Sequence, residues 1–197
     1  MRFRIDLKIL IFLVLFFITR QLELYLVIMA FAFIHECAHM IVGNLLGFKI
    51  HTLELMPFGF FTDMEANIEE YNTKIGKSNL VEFKKIFIVI AGPLTNLFLI
   101  GILVILNSFY GIEKLNMLVY SNFLIFLFNI LPIFPLDGGR ILKSILKIWI
   151  GYKKANKIVK AISRITVCML TAMSSILILY FKNIAILLIL IYIWVIF

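Results

Sequence analysis

The sequence predicts an all-α polytopic membrane protein, with about six transmembrane helices, a short interfacial β-hairpin or re-entrant loop after helix 2, and a broken helix 4. Two observations carry this prediction and a third orients it. Hydrophobic residues make up 63% of the 197-residue chain, with a mean hydropathy of +1.07, well beyond the roughly half expected of a soluble domain. Apolar runs recur at 9–19, 22–46, 86–107, 116–136, 158–181 and 183–197. At about 1.5 Å per residue the second, third and fifth are long enough to span the hydrocarbon layer. With both termini placed in the cytosol, only Arg20, Lys114 and Lys182 of the 19 cationic side chains fall outside, the asymmetry that orients membrane proteins. The net charge of +8 therefore reports topology rather than affinity for nucleic acid, because the cations sit in blocks between apolar runs.

The elements follow in order. MRFRIDLK and the apolar run behind it imitate a secretory signal, but no small-x-small cleavage site precedes Arg20, so the segment is expected to remain as an anchor. Arg20, Gln21 and Glu23 interrupt runs one and two, which predicts a tight helical hairpin or a single bent segment. KIHTLELMPFGFFTDMEA then alternates apolar and polar residues through Leu53, Leu55, Phe58 and Phe60. This is the period of a strand, and residues 53–61 are a candidate edge for an extended peptide. Interfacial anchoring by Phe58, Phe60 and Phe61 explains the same residues equally well. In run three, Gly92-Pro93-Leu94-Thr95-Asn96 reads as close helix packing through a small residue and a polar contact. Cys37 and Cys168 both lie inside apolar runs, so no disulfide framework is indicated. The chain is read as one membrane-embedded domain over residues 1–197, with no soluble domain.

Run two contains FIHECAHM, Phe33 to Met40, where lipid penalises ionisable groups. His35-Glu36-Cys37-Ala38-His39 is H-E-x-x-H. On a helix, residues i and i+4 lie about 40° apart in projection and about 6 Å apart along the axis, so both imidazoles reach one tetrahedral metal, here one Zn2+. Glu36 stands beside them, placed to hold a water rather than the metal. Cys37 points about 200° away from His35 and is not expected as a ligand. Two histidines hydrogen-bonded in a packed bundle are the plainer explanation, but an unpaired ionisable cluster in lipid is costly.

A catalytic zinc needs a third protein ligand and an open position. Asp6 and Asp63 fall in predicted termini or loops and His51 reads as an interfacial surface histidine, which leaves Asp137 in NILPIFPLDGGR. Counted from the outer face, run four reaches about the depth of His35 before Pro132 and Pro135 break it. Freed backbone groups are tolerated there only against protein or a wet cavity. By itself the segment reads equally as an interfacial turn with Asp137 capping the next helix. Paired with H-E-x-x-H, the ligand reading is favoured.

HECAH and NILPIFPLDGG, with LMPFGF and AGPLTN between them, resemble the motifs of the site-2 protease family of intramembrane zinc metalloproteases, nearest its bacterial sporulation branch. The likeness covers residues 25–145, and departs from the N-x-x-P-x-P-x-x-D-G pattern in having one residue between Pro135 and Asp137. It implies His35, His39 and Asp137 as zinc ligands, Glu36 as the catalytic glutamate, and Asn129 with Pro132 and Pro135 as substrate-binding residues. It also implies a metalloendopeptidase that cuts a membrane-associated protein near the cytosolic side. For the sporulation branch, that substrate is the pro-sequence of a sigma factor, cut in the mother-cell membrane around the forespore under a membrane-bound inhibitor or regulator. That branch often carries a CBS domain, which is not expected here. The alternatives are a relative that cuts an anti-sigma factor or a signal-peptide remnant, and a non-catalytic metal-binding scaffold or transporter. A single H-E-x-x-H with one distant aspartate speaks against transport, and a scaffold has no use for Glu36.

Overall fold

The computed structural model describes residues 2–57, 59–66 and 75–181, and the chain divides into two compact units, Met1–Ile130 and Leu131–Phe197. The first unit holds β1 (Arg2–Ile5), α1 (Lys8–Ile18), α2 (Leu22–Leu45), β2 (Phe48–Met56), β3 (Gly59–Ala66), α3 (Ile75–Tyr110) and α4 (Glu113–Ile130). The second holds α5 (Asp137–Ile150) and α6 (Tyr152–Phe181). The described residues are thus mostly helical, with six helices, and carry a three-stranded sheet where the all-α prediction allowed a hairpin. Phe58, Lys182 and the apolar run at 183–197 lie outside them.

Runs one and two form a helical hairpin rather than one bent segment. Arg20 adopts φ 57° at the turn, Gln21 N–H donates to Phe16 O at 2.9 Å, and the Phe16 ring stacks on Tyr25 with centroids 4.7 Å apart. The 11 residues of α1 reach only about 16 Å, short of the hydrocarbon thickness. Among the described residues, Leu22–Leu45 and Asn79–Tyr110 are the two helices long and apolar enough to cross a bilayer.

The sheet has the order β1-β2-β3, with β2 antiparallel to β3 and β1 parallel to β2. Two expectations change here. The basic lead into the expected anchor contains a strand, Arg2–Ile5, whose register runs from Arg2↔Thr52 to Ile5↔Leu55. A parallel partner needs a long crossover, and the α1–α2 hairpin is that crossover. The open edge expected along residues 53–61 is also divided, because Leu53 lies on β2, which is paired on both sides, while Phe60 and Phe61 lie on the edge strand β3. Alternation marks which residues are strand but not the order of the strands.

The β2–β3 hairpin folds back along α2. At its tip, Tyr25 Oη–H donates to Pro57 O at 2.9 Å in a buried bond, and the Phe60 ring meets Phe33 with centroids 5.1 Å apart. At its base, Phe48 is buried with Val81 and Ile88 of α3, against Val42, Leu46 and Met64. Residues 60–62 of β3 therefore run beside the middle turns of α2, where the H-E-x-x-H segment lies.

In the second unit, residues 131–136 form an irregular turn before α5. Ile133 is fully buried, Phe134 N–H donates to Ser163 Oγ of α6 at 3.0 Å, and the Phe134–Pro135 bond is cis. A β-carbon at Gly139 would overlap the backbone of Ile133 and Phe134, so the second glycine of Asp137-Gly138-Gly139 is fixed by packing. A helix start at Asp137 is part of the capping alternative in the sequence, but no apolar run marks the extent of α5. Its basic residues Arg140, Lys143 and Lys147 lie within about 60° of one another around the axis, and Lys143 Nζ sits 4.2 Å from the centroid of the Phe134 ring.

Candidate metal centre

One stripe of α2 is buried, and the H-E-x-x-H residues belong to it along with Tyr25, Ala32 and Gly43. His35, Glu36 and His39 are 4%, 6% and 2% exposed, whereas Cys37 is only partly buried. The predicted separation of Cys37 from the histidines thus follows from helix periodicity.

Each imidazole is held through its Nδ1. His39 Nδ1 lies 2.7 Å from Ile88 O, and His35 Nδ1 lies 3.2 Å from Asn96 Oδ1. A carbonyl oxygen only accepts, so these contacts place the proton on Nδ1 in both rings and make Nε2 the lone-pair atom of each. Those two Nε2 atoms face each other at 3.1 Å. Two lone pairs at that distance repel unless a cation lies between them. Two zinc–nitrogen bonds at a tetrahedral angle would separate the nitrogens by about 3.3 Å. The pair fits a metal, and the Nδ1 bonds are the outer contacts that orient metal-binding histidines.

The packing of α3 against α2 explains the pair's placement and corrects the reading of residues 92–96. A β-carbon at Gly92 would overlap both histidine rings, so Gly92 is a clearance for the imidazoles as well as a packing contact. Pro93, inside α3, cannot donate to Val89 O and crowds that turn. The adjacent carbonyl, Ile88 O, is the one that accepts from His39. Asn96 does more than pack, since it is the acceptor for His35, and Asn122 of α4 donates from Nδ2 to Asn96 O at 3.0 Å. The signal that would have found these residues is the pairing of AGPLTN with HECAH as neighbouring helix faces.

The other candidates are placed as follows. Asp137 lies in the second unit, 4% exposed, as the first residue of α5, and Leu136 rather than Asp137 is the N-cap. The helix start favours its carboxylate. Asn129 is half-buried in the last turn of α4, Pro132 and Pro135 are half-buried in the turn before α5, and His51 is exposed at the register irregularity between Ile50 and Thr52.

Residues 23–112 and 108–173 match peptidase family M50. The chain belongs to that family. Over 147 residues this M50 chain is 34% identical to a zinc metalloprotease of Methanocaldococcus jannaschii, covering 72% of this chain and 39% of that protein. Over 143 residues it is 25% identical to the stage IV sporulation protein FB of Bacillus subtilis, covering 72% and 46%. It thus spans less than half the length of these curated relatives. Among solved structures, the site-2 protease of M. jannaschii matches with a TM-score of 0.74 and 26% identity over 98% of this chain and 87% of that one. The fold is that of site-2 proteases, and zinc is the metal that an M50 donor set takes. The archaeal likeness exceeds the sporulation one, so the family is shown and its sporulation branch is not singled out.

Proposed function

We propose that the chain is an intramembrane zinc metalloendopeptidase that hydrolyses a peptide bond of a membrane-associated protein near the cytosolic side. The observation that carries this reading is the facing Nε2 pair of His35 and His39 at 3.1 Å, buried beside a glutamate. Asp137 is proposed as the third ligand. Its support is its depth in the sequence, matched to that of His35, and its burial.

When bound, zinc lowers the pKa of a coordinated water towards about 7 and polarises the scissile carbonyl. The chain's residues do the rest. Glu36 takes the proton of the attacking water and returns it to the leaving amine. No covalent intermediate with the chain is required. Asn129, with one donor group and one acceptor, holds the substrate backbone beside the bond to be cut, and Pro132 and Pro135 fix the adjoining turn. A helical substrate hides its amides in its own hydrogen bonds, so it must be drawn out before cleavage. Edge strand β3, running beside α2, offers the backbone groups for that pairing.

The substrate class proposed is a membrane-associated precursor, with the pro-sequence of a sporulation sigma factor as the instance suggested by the FB-like motifs. Comparing membrane proteomes of cells carrying wild type and Glu36→Gln tests it. At least one precursor should accumulate uncut in Glu36→Gln cells, and identical proteomes would refute the reading.

A further inference from the structure

The two histidines are held differently. His39 bonds a backbone carbonyl, which α3 fixes whatever side chain stands at position 88. His35 bonds a side chain, the amide of Asn96, so its orientation depends on which residue stands at position 96. Asn96 and Asn122 are each fully buried, with Asn122 Nδ2 donating to Asn96 O at 3.0 Å. We propose that Asn96 is a positioning residue that fixes the tautomer and ring angle of His35 for metal binding, with Asn122 as a relay from α4 that holds the α3 backbone at residue 96.

The relay carries a cost that packing alone would not justify. Asn96 Nδ2 and Asn122 Oδ1 are buried without a hydrogen-bond partner, a penalty that a pair of aliphatic side chains between α3 and α4 would not incur. What the amides provide and aliphatic groups cannot is the Oδ1 acceptor facing His35 Nδ1. Such outer contacts typically set metal affinity over a range of about 10–100-fold. Asparagine also accepts without bringing a further charge into the bundle, where a carboxylate would be costly. Neither residue touches the metal or the substrate in this arrangement, so both are positioning residues.

The proposal rests on the zinc reading of the site, and the test separates the two. The purified full chain in detergent is stripped of metal. Zinc binding is then titrated against a competing chelator, and the absorption bands of the cobalt-loaded protein are recorded. Failure of the wild type to bind either metal would sink the zinc reading itself. With wild type binding, Asn96→Leu is expected to weaken zinc about 10–100-fold and to shift the cobalt bands, Asn96→Asp to stay within about threefold because it keeps the acceptor, and Asn122→Leu to weaken zinc about 3–10-fold. Wild-type affinity in Asn96→Leu, or equal loss in Asn96→Leu and Asn96→Asp, overturns the relay. Should Asn96→Leu not accumulate, the other two variants decide: the relay is wrong if Asn96→Asp loses zinc or if Asn122→Leu binds like wild type.

Discussion

Gly92 carries the sharpest prediction at the scale of single residues. Replacing a glycine inside a helix by alanine ordinarily stabilises by up to about 1 kcal/mol, but a β-carbon there would overlap the rings of His35 and His39. Gly92→Ala is expected to keep the fold and lower zinc affinity at least about tenfold, as read by chelator competition. His39→Ala removes a ligand outright and should leave the purified chain without zinc by metal analysis. The histidine pair was legible in the sequence because helix geometry alone brings residues i and i+4 to one side. Gly92 and Asn96 were read as packing because their contact with the pair depends on how α3 lies against α2, which no spacing within AGPLTN encodes.

Among the elements, the β2–β3 hairpin shows where sequence reasoning stopped. Alternation through Leu53, Leu55 and Phe60 identifies strands, yet the four residues of β1 are too short for any period to declare them, and without β1 the expected edge falls across both β2 and β3. The broken helix 4 was legible from Pro132 and Pro135, because a missing N–H and a fixed φ are properties of the residue itself. The extent of α5 was not, because its basic residues read only as topology signals. The hairpin's hold on α2 is testable through the buried Tyr25–Pro57 bond. Tyr25→Phe leaves Pro57 O without that donor and should cost about 1 kcal/mol. The expected readouts are a lower unfolding midpoint in detergent, earlier protease cleavage within residues 48–66, and unchanged zinc affinity. A loss of zinc in that variant would mean that the hairpin supports the metal centre directly.

For the whole molecule, residues from distant parts of the chain are proposed to serve one reaction. His35 and His39 come from α2 and Asp137 from the start of α5, so the proposed ligand set predicts that Asp137→Asn reduces zinc affinity by at least about tenfold. Affinity equal to wild type would remove Asp137 from the set. The central claim, that the buried metal centre of this M50 chain hydrolyses peptide bonds with Glu36 as its base, is tested most directly on purified Glu36→Gln. Zinc content and product formation are measured on the same preparation, with a substrate that the wild-type protein cuts. One zinc per chain with no detectable product is the predicted result, and processing at a rate near wild type would contradict it.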